Sequence, residues 1–252
     1  MGSRHMEAHP LPGGLAVVTG ASSGVGRAVA LALSFCGVRV CAVGRDASRL
    51  AETVGLARAH SPAIGFEIDL SAEKNLRPLF EHLERETGVD ILIHSAGIAH
   101  LGYMEMSMVE DFDRQYLTNV RAPYVLTQRL LPLLAARQGQ VVFINSSAGV
   151  SAKRPNVGQY AATKHALKAV ADSLRQEVNP KGIRVLSLYL GRTATPMQEA
   201  LLAQEGKPYQ PETLLQPEDV ASVILSALRL PRTAEVTDIH LRPMRPAQQV
   251  ER

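Results

Sequence analysis

Two side chains in the segment QYAATK have the types and spacing to exchange a proton. Tyr160 and Lys164 are four residues apart, and a helix of 3.6 residues per turn places such a pair on one face. A phenol ordinarily titrates near about pH 10, but a cation beside it favours the phenolate and lowers the pKa. The pair is a candidate acid/base. Taken alone, so short a pattern is more often an exposed helix with two unrelated side chains.

The segment TGASSGVG, residues 19–26, follows a short apolar run and precedes a predicted helix. Gly20, Gly24 and Gly26 give the spacing Gly-x-x-x-Gly-x-Gly. Glycines at such a turn let backbone amides and the helix N-terminus approach a pyrophosphate. Turns and packing also use glycine triplets, but the position after the first strand favours a dinucleotide site.

The end of the second strand, AVGRD, bears on the choice between NAD and NADP. Gly44 falls where an acidic residue would bind a ribose 2′-hydroxyl, and Arg45 follows with positive charge for a 2′-phosphate. Ser22 is placed to add a hydrogen bond. We predict NADP as the cofactor, with NAD the less favoured choice. The alternative is that Arg45 is a solvated loop residue and Asp46 binds the ribose.

The elements that must position these groups alternate regularly along the chain. Apolar runs typical of buried parallel strands lie at 15–19, 38–43, 63–68, 90–95, 140–145, 183–189 and 237–241. Helical patterns lie at about 24–35, 47–58, 72–87, 111–136, 157–178 and 217–230. This alternation predicts an α/β fold with a doubly wound (Rossmann) seven-stranded parallel sheet and helices on both faces.

Composition narrows the class of protein. A chain of 252 residues with 46% hydrophobic content can bury one substantial core, which predicts a single domain over 6–252. Residues 1–5 resemble the remnant of an expression tag, and the polar C-terminal end should fray. The net charge of +3 is scattered, and we expect neither a nucleic-acid nor a membrane partner. Two cysteines without metal-ligand spacing predict a reduced, cytoplasmic protein without a metal site.

Taken together, these residues resemble the short-chain dehydrogenase/reductase family, in the branch whose chains are about as long as this one. The resemblance runs from Gly14 to about Pro231. It depends on several motifs in one order: TGASSGVG, Asp69-Leu70, Ser95-Ala96-Gly97, Asn119, Ser147, the Tyr160/Lys164 pair and LGRTATPM at 190–197.

The resemblance implies a catalytic role for four residues. Tyr160 would be the general acid/base, and Lys164 would lower its pKa and bind the nicotinamide ribose. Ser147, thirteen residues before Tyr160, would hydrogen-bond the substrate oxygen, and Asn119 would hold a water in a proton relay. Ser146 is the competitor for the serine role, but the family spacing selects Ser147.

The resemblance also implies which residues hold the cofactor. Asp69 would bond the adenine amino group, although a solvated loop aspartate is the alternative. The full predicted set is Gly20, Ser22, Ser23, Gly24, Val25, Gly26, Arg45, Asp69, Leu70, Ala96, Gly97, Tyr160, Lys164, Gly191, Thr193 and Thr195. Two departures stand out: Ser95 replaces the usual asparagine after strand four, and Leu190 replaces the usual proline after strand six.

The expected activity is an NADP(H)-dependent interconversion of a small-molecule carbonyl and a secondary alcohol. The alternatives are a catalytically silent dinucleotide-binding sensor, and epimerase or dehydratase chemistry without net cofactor consumption. Residues 196–216 should form a mobile substrate lid in which leucines, prolines and Tyr209 shape the pocket. Lys153 and Arg154 would meet an anionic substrate or lie in a solvated loop. By analogy with relatives, we expect a homodimer or homotetramer.

Overall fold

The computed structural model describes Leu11 and residues 13–244. Seven parallel strands form one sheet in the order β3-β2-β1-β4-β5-β6-β7. Their bounds are β1 Leu15–Thr19, β2 Arg39–Gly44, β3 Ala63–Glu67, β4 Ile91–His94, β5 Gln140–Ser146, β6 Arg184–Leu190 and β7 Asp238–Leu241. The strand order reverses between β1 and β4, which are direct neighbours. Adjacent strand ends on either side of such a reversal leave a crevice suited to ligands.

The described residues form eight α-helices, six of which pack against the two faces of this sheet. They are α1 Gly24–Phe35, α2 Ala47–Arg58, α3 Arg77–Leu83, α4 Val109–Tyr116, α5 Ala122–Arg137, α6 Gly158–Val178, α7 Pro196–Gln204 and α8 Pro217–Leu228. One buried cluster packs α1, α2 and α8 against alternate strand residues such as Ala16 and Val18. The other packs α3, α5 and α6 against Leu15 and Val17. The predicted doubly wound parallel sheet is confirmed.

Two predicted helices are interrupted. The pattern at 72–87 contains a 3-10 turn at Glu73–Leu76 followed by α3, whose first turn holds Pro78. Proline has no backbone N–H and is tolerated in the first turn of a helix, so α3 begins there. The pattern at 111–136 is α4, then a π-helical turn at Leu117–Arg121, then α5.

The predicted lid contains regular structure that the sequence pattern did not indicate. Thr195 caps α7 by accepting a hydrogen bond from the Gln198 amide at 3.2 Å. A parallel β-bridge between Thr193 and Leu215 holds the C-terminal end of the lid segment next to the residues that follow β6. The predicted tag at 1–5 and most of the predicted fraying end lie outside the described residues. Among the residues that are described, no helix is both long and apolar enough to cross a membrane.

Candidate active site

A cavity of about 660 Å³ opens at the carboxyl ends of the central strands. All sixteen residues of the predicted cofactor set line it, as do Ser147 and its neighbour Ser146. Asn119 is not among its lining residues. The glycine turn lies on the wall formed by β1 and α1, and Tyr160 lies on the wall formed by β5 and α6. Residues from distant parts of the chain therefore meet in one crevice.

The glycine turn after β1 has no room for side chains. Gly20 has a φ of 68°, and a Cβ there would lie 2.8 Å from the backbone nitrogen of Ala96. Gly24 has a φ of 53°, and a Cβ on Gly26 would lie 2.3 Å from the carbonyl oxygen of Gly20. The N-terminus of α1 begins at Gly24 and faces the cavity. A turn with glycines at these positions before a helix N-terminus fits a phosphate group.

The end of β2 is basic where it meets the cavity. A Cβ on Gly44 would lie 2.9 Å from the hydroxyl of Ser22, so an acidic side chain would collide there. Arg45 is exposed on the cavity wall, and no carboxylate in the described part of the chain pairs with it. The carboxylate of Asp46 instead caps α2 through the amide of Arg49 at 3.0 Å. The preference for NADP over NAD stays a prediction at this position.

The loops after β3 and β4 complete this end of the cavity. Asp69 is exposed and accepts a hydrogen bond from the Ser71 amide, and Leu70 beside it is buried. The hydroxyl of Thr19 accepts hydrogen bonds from the amides of Ser95 and Ala96, each at 3.1 Å. Thr19 therefore fixes the loop in which serine replaces the family's asparagine.

Tyr160 and Lys164 meet as their spacing predicts. The ammonium nitrogen of Lys164 lies 5.9 Å from the centre of the Tyr160 ring and donates a hydrogen bond to the carbonyl of Ile144 at 3.1 Å. Burial lowers the pKa of Lys164 to about 8. Burial raises the pKa of Tyr160, and a hydrogen bond with Ser146 opposes this rise. A lowering of the Tyr160 pKa by Lys164 stays a prediction.

Ser146 and Ser147 both line the cavity, so the choice of Ser147 from the family spacing stays a prediction. Strand β5 runs one residue further than predicted and ends at Ser146, whose side chain interacts with Tyr160. Ser147 begins a 3-10 turn and is exposed. Ser147 keeps the thirteen-residue spacing to Tyr160. We propose Ser146 for the serine role because its side chain interacts with Tyr160, with Ser147 as the alternative.

Asn119 acts as a clamp in the π-helical turn. Its side-chain oxygen accepts a hydrogen bond from the Ile98 amide at 2.9 Å, and its nitrogen donates to the Ile98 carbonyl at 2.9 Å. The same nitrogen donates to the Thr163 hydroxyl at 3.1 Å, which in turn donates to the carbonyl of Tyr160 at 2.8 Å. Both amide hydrogens are used by protein groups. This side chain positions the catalytic helix and is not free to hold a relay water through those hydrogens.

The segment after β6 forms the remaining wall. The hydroxyl of Thr193 donates to the carbonyl of Gly191 at 3.1 Å, and the methyl group of Thr195 faces the glycine turn. From α7, Met197 and Leu201 line the cavity. Tyr209 does not line it, so its predicted role in shaping the pocket is wrong.

Several polar side chains of the site were missed from the sequence. Asn145 is buried and donates to the backbone carbonyl of the catalytic lysine at 3.1 Å, while its oxygen accepts from the Ser146 amide at 2.8 Å. Thr163, Arg192 and Glu205 were also missed. Asn145 could have been predicted as a site residue, because it begins a run of polar residues at the end of β5. Glu205 could not have been predicted, because its partners are distant in sequence and no local pattern marks it.

His94 is the buried histidine of the described chain. It stacks on Phe143 with ring centroids 4.9 Å apart and contacts the Thr127 hydroxyl at 2.8 Å. Its full burial lowers its pKa to about 3. Within Leu11 and residues 13–244, no group of three or more His, Cys, Asp or Glu side chains is arranged to hold a metal ion.

Comparisons with known proteins identify the family. A family model described as short chain dehydrogenase matches residues 14–206. An uncharacterized short-chain type dehydrogenase/reductase of Sinorhizobium fredii is 34% identical over 237 residues, covering 91% of each chain. A dehydrogenase/reductase from Sinorhizobium meliloti is 28% identical, with a TM-score of 0.80 and coverage of 93% of this chain and 95% of that one. A metagenomic short-chain oxidoreductase in complex with NADP is 25% identical, with a TM-score of 0.79 and coverage of 93% and 99%.

The chain therefore belongs to the short-chain dehydrogenase/reductase family of oxidoreductases.

Proposed function

We propose that this protein is an NADP(H)-dependent oxidoreductase that interconverts a carbonyl and a secondary alcohol. The observation that carries the proposal is the convergence of Tyr160, Ser146 and Lys164 on the cavity that also holds the glycine turn and Arg45. A protein that only binds a dinucleotide does not need an acid/base side chain beside a lysine whose pKa is lowered. This argues against the catalytically silent sensor.

The residues present fit the dinucleotide. The amides of the glycine turn and the N-terminus of α1 would hold the pyrophosphate, Arg45 the 2′-phosphate, Asp69 and Leu70 the adenine, and Lys164 the nicotinamide ribose. When bound, the nicotinamide ring would supply or accept the hydride. The preference for NADP is supported by the unpaired Arg45 on the cavity wall of the described chain and by a solved relative that contains NADP.

The proton is handled by the chain itself. Burial keeps the Tyr160 phenol protonated at neutral pH, so it can donate to a carbonyl oxygen that is gaining negative charge. Ser146 donates a hydrogen bond to the same oxygen and holds it against the phenol. With a pKa of about 8, Lys164 is mostly protonated at pH 7 and stabilises the phenolate that remains. In the alcohol-to-carbonyl direction, the phenolate takes the proton back.

Replacing the phenol oxygen tests this assignment. Tyr160→Phe should lower kcat for NADPH-dependent reduction of aldehydes and ketones by about 10²- to 10⁴-fold, because the general acid is removed. NADPH affinity, measured by fluorescence titration, should change little. Tyr209→Phe is the matched control, since it removes the same hydroxyl from the α7–α8 segment outside the cavity.

The same assays separate the rival functions. NADPH binding by the parent protein without turnover of any carbonyl compound would favour the sensor. Substrate conversion without net NADPH oxidation would favour epimerase or dehydratase chemistry. A lower Michaelis constant for NADH than for NADPH would refute the NADP assignment.

Assembly as a homodimer or homotetramer stays a prediction. It is supported by Tyr116 and Tyr124, which expose 47% and 53% of their surface on α4 and α5. The cytoplasmic location also stays a prediction.

A further inference from the structure

A group of charged side chains lines the cavity and is joined by ion pairs. Arg154 comes from the loop after β5, Arg192 follows β6, and Glu205 follows α7. All three line the cavity. This group is outside the set implied by the family motifs.

One carboxylate serves three cations here. Glu205 Oε1 accepts from Arg154 at 2.5 Å, and Oε2 accepts from Arg192 at 2.8 Å and from Lys207 at 2.9 Å. Hydrogen bonds to these cations hold the pKa of Glu205 at about 2 despite its burial. The ion pairs therefore persist at any pH used for assay.

The group keeps an excess of positive charge beside the cavity. Each guanidinium uses a single terminal nitrogen, NH2, in its bonds to Glu205, so other N–H donors on both side chains remain for a ligand. Lys153 also lines the cavity, and within the described residues no carboxylate pairs with it. A planar guanidinium donor set of this kind matches the oxygen atoms of a carboxylate or a phosphate.

We propose that Arg154 and Arg192, oriented by Glu205, bind an anionic oxyacid group of the substrate, a carboxylate or a phosphate, while its carbonyl lies at Tyr160 and Ser146. The inference rests on the proposed carbonyl chemistry and adds the class of substrate. It replaces the solvated-loop alternative for Arg154. Glu205 is a positioning residue in this arrangement, because it contacts both guanidinium groups.

Matched pairs of carbonyl compounds test the proposal. The full chain is assayed with NADPH on 4-oxopentanoate against its methyl ester, and on dihydroxyacetone phosphate against dihydroxyacetone. We expect kcat/KM to favour the anionic member of at least one pair by about 10- to 100-fold, the effect of a hydrogen bond to a charged group. The pair with the larger ratio identifies carboxylate or phosphate.

The variants locate the effect. Arg192→Gln and Arg154→Gln should each lower that ratio about tenfold or more, mainly through KM of the anionic substrate. Lys207→Gln is the matched control and should leave the ratio unchanged, because Lys207 binds the same carboxylate from outside the cavity. NADPH dissociation constants should be the same in all variants.

Three results would overturn the proposal. They are a ratio near one for both pairs in the parent enzyme, an equal loss on anionic and neutral substrates in the arginine variants, and a loss that follows weaker NADPH binding.

Calorimetric titration of the NADP-saturated protein with each anion separates this proposal from the proposed function. Binding of an anion that Arg192→Gln abolishes, without any carbonyl turnover, would support the site and refute the activity. Turnover of neutral ketones without anion binding would do the reverse.

Discussion

The two ends of the cavity are built by different means. The cofactor end consists of backbone: Gly20, Gly24 and Gly26 bring amides and a helix N-terminus to the surface within eight residues of sequence. The substrate end consists of long charged side chains, and Arg154 and Glu205, which meet there, are 51 residues apart. The first kind of site depends on local conformation, whereas the second depends on how separate loops are placed by the whole fold.

This difference explains why the family resemblance is informative about one end and silent about the other. A backbone cradle tolerates almost no substitution, because a single Cβ meets another backbone atom at under 3 Å. A group of charged side chains on loops can be replaced without disturbing the sheet. We therefore expect the cofactor end to vary less among relatives than the substrate end.

The largest expected effect lies where the two ends meet, at the serine beside Tyr160. Ser146→Ala should lower kcat about 10²- to 10³-fold, because it removes a donor to the oxygen that gains charge. Ser147→Ala removes the same hydroxyl one residue later and should keep activity close to that of the parent enzyme, since Ser147 is exposed in the 3-10 turn. Steady-state kinetics on one carbonyl substrate decides between them. Loss of activity in Ser147→Ala alone would restore the assignment made from family spacing.

A smaller effect is expected from a methyl group in the backbone cradle. Gly26→Ala would place its Cβ 2.3 Å from the Gly20 carbonyl oxygen and should lower the free energy of unfolding by about 1–3 kcal/mol. It should also weaken NADPH binding, because the turn must shift. Gly55→Ala is the control: it lies in α2 with no atom within 4 Å of the added Cβ. Gly55→Ala should raise the free energy of unfolding by about 0.5–1 kcal/mol, because alanine is favoured over glycine within a helix.

Urea unfolding and NADPH titration measure both effects on both variants. If Gly26→Ala is as stable as the parent protein and binds NADPH equally well, the cradle is not rigid. The contrast between the two ends would then fail.

The fold was largely predictable because its signals are local. Buried apolar runs bounded by turn residues located every strand to within about two residues, and α1 and α2 match their predicted bounds. The π-helical turn was not predictable, because it is stabilised by Asn119 bonding to Ile98 and Thr163, which are 21 and 44 residues away. No pattern within the helix itself reports those partners.

The site was predictable to a similar degree. Every residue of the predicted cofactor set lines the cavity, and so does Ser147, whereas Asn119 does not, because its side chain is bonded to partners distant in sequence. The lid was predicted as a loop because α7 has no pronounced apolar stripe in its sequence. Its helix instead begins with the Thr195 cap and Pro196.

The smallest effect concerns Lys164, a buried charged side chain that lines the cavity. Burial lowers its pKa from 10.5 to about 8, so between these pH values the unfolded chain holds a proton that the folded protein has lost. The unfolded state binds more protons there, so the free energy of unfolding rises with pH. The cost of burying the charge is present in full below about pH 8 and disappears towards pH 10.5. In Lys164→Met this dependence is absent, so parent stability relative to the variant should rise by about 1–2 kcal/mol from pH 7 to pH 9.

Lys168→Met, one turn further along α6, is the control with the opposite sign. The pKa of Lys168 is raised, chiefly by its hydrogen bond with Asp172, so any stabilisation it provides is present at neutral pH and lost as pH rises. Urea unfolding at pH 7, 8, 9 and 10 gives both differences, and titrations common to parent and variant cancel. A Lys164 difference that stays flat across this range would mean that the folded protein keeps the ammonium charged. Interactions as strong as those around Glu205 would then stabilise the charged form of Lys164. Its burial would have no net effect on its charge, and Lys164 would resemble the paired charged groups at the substrate end.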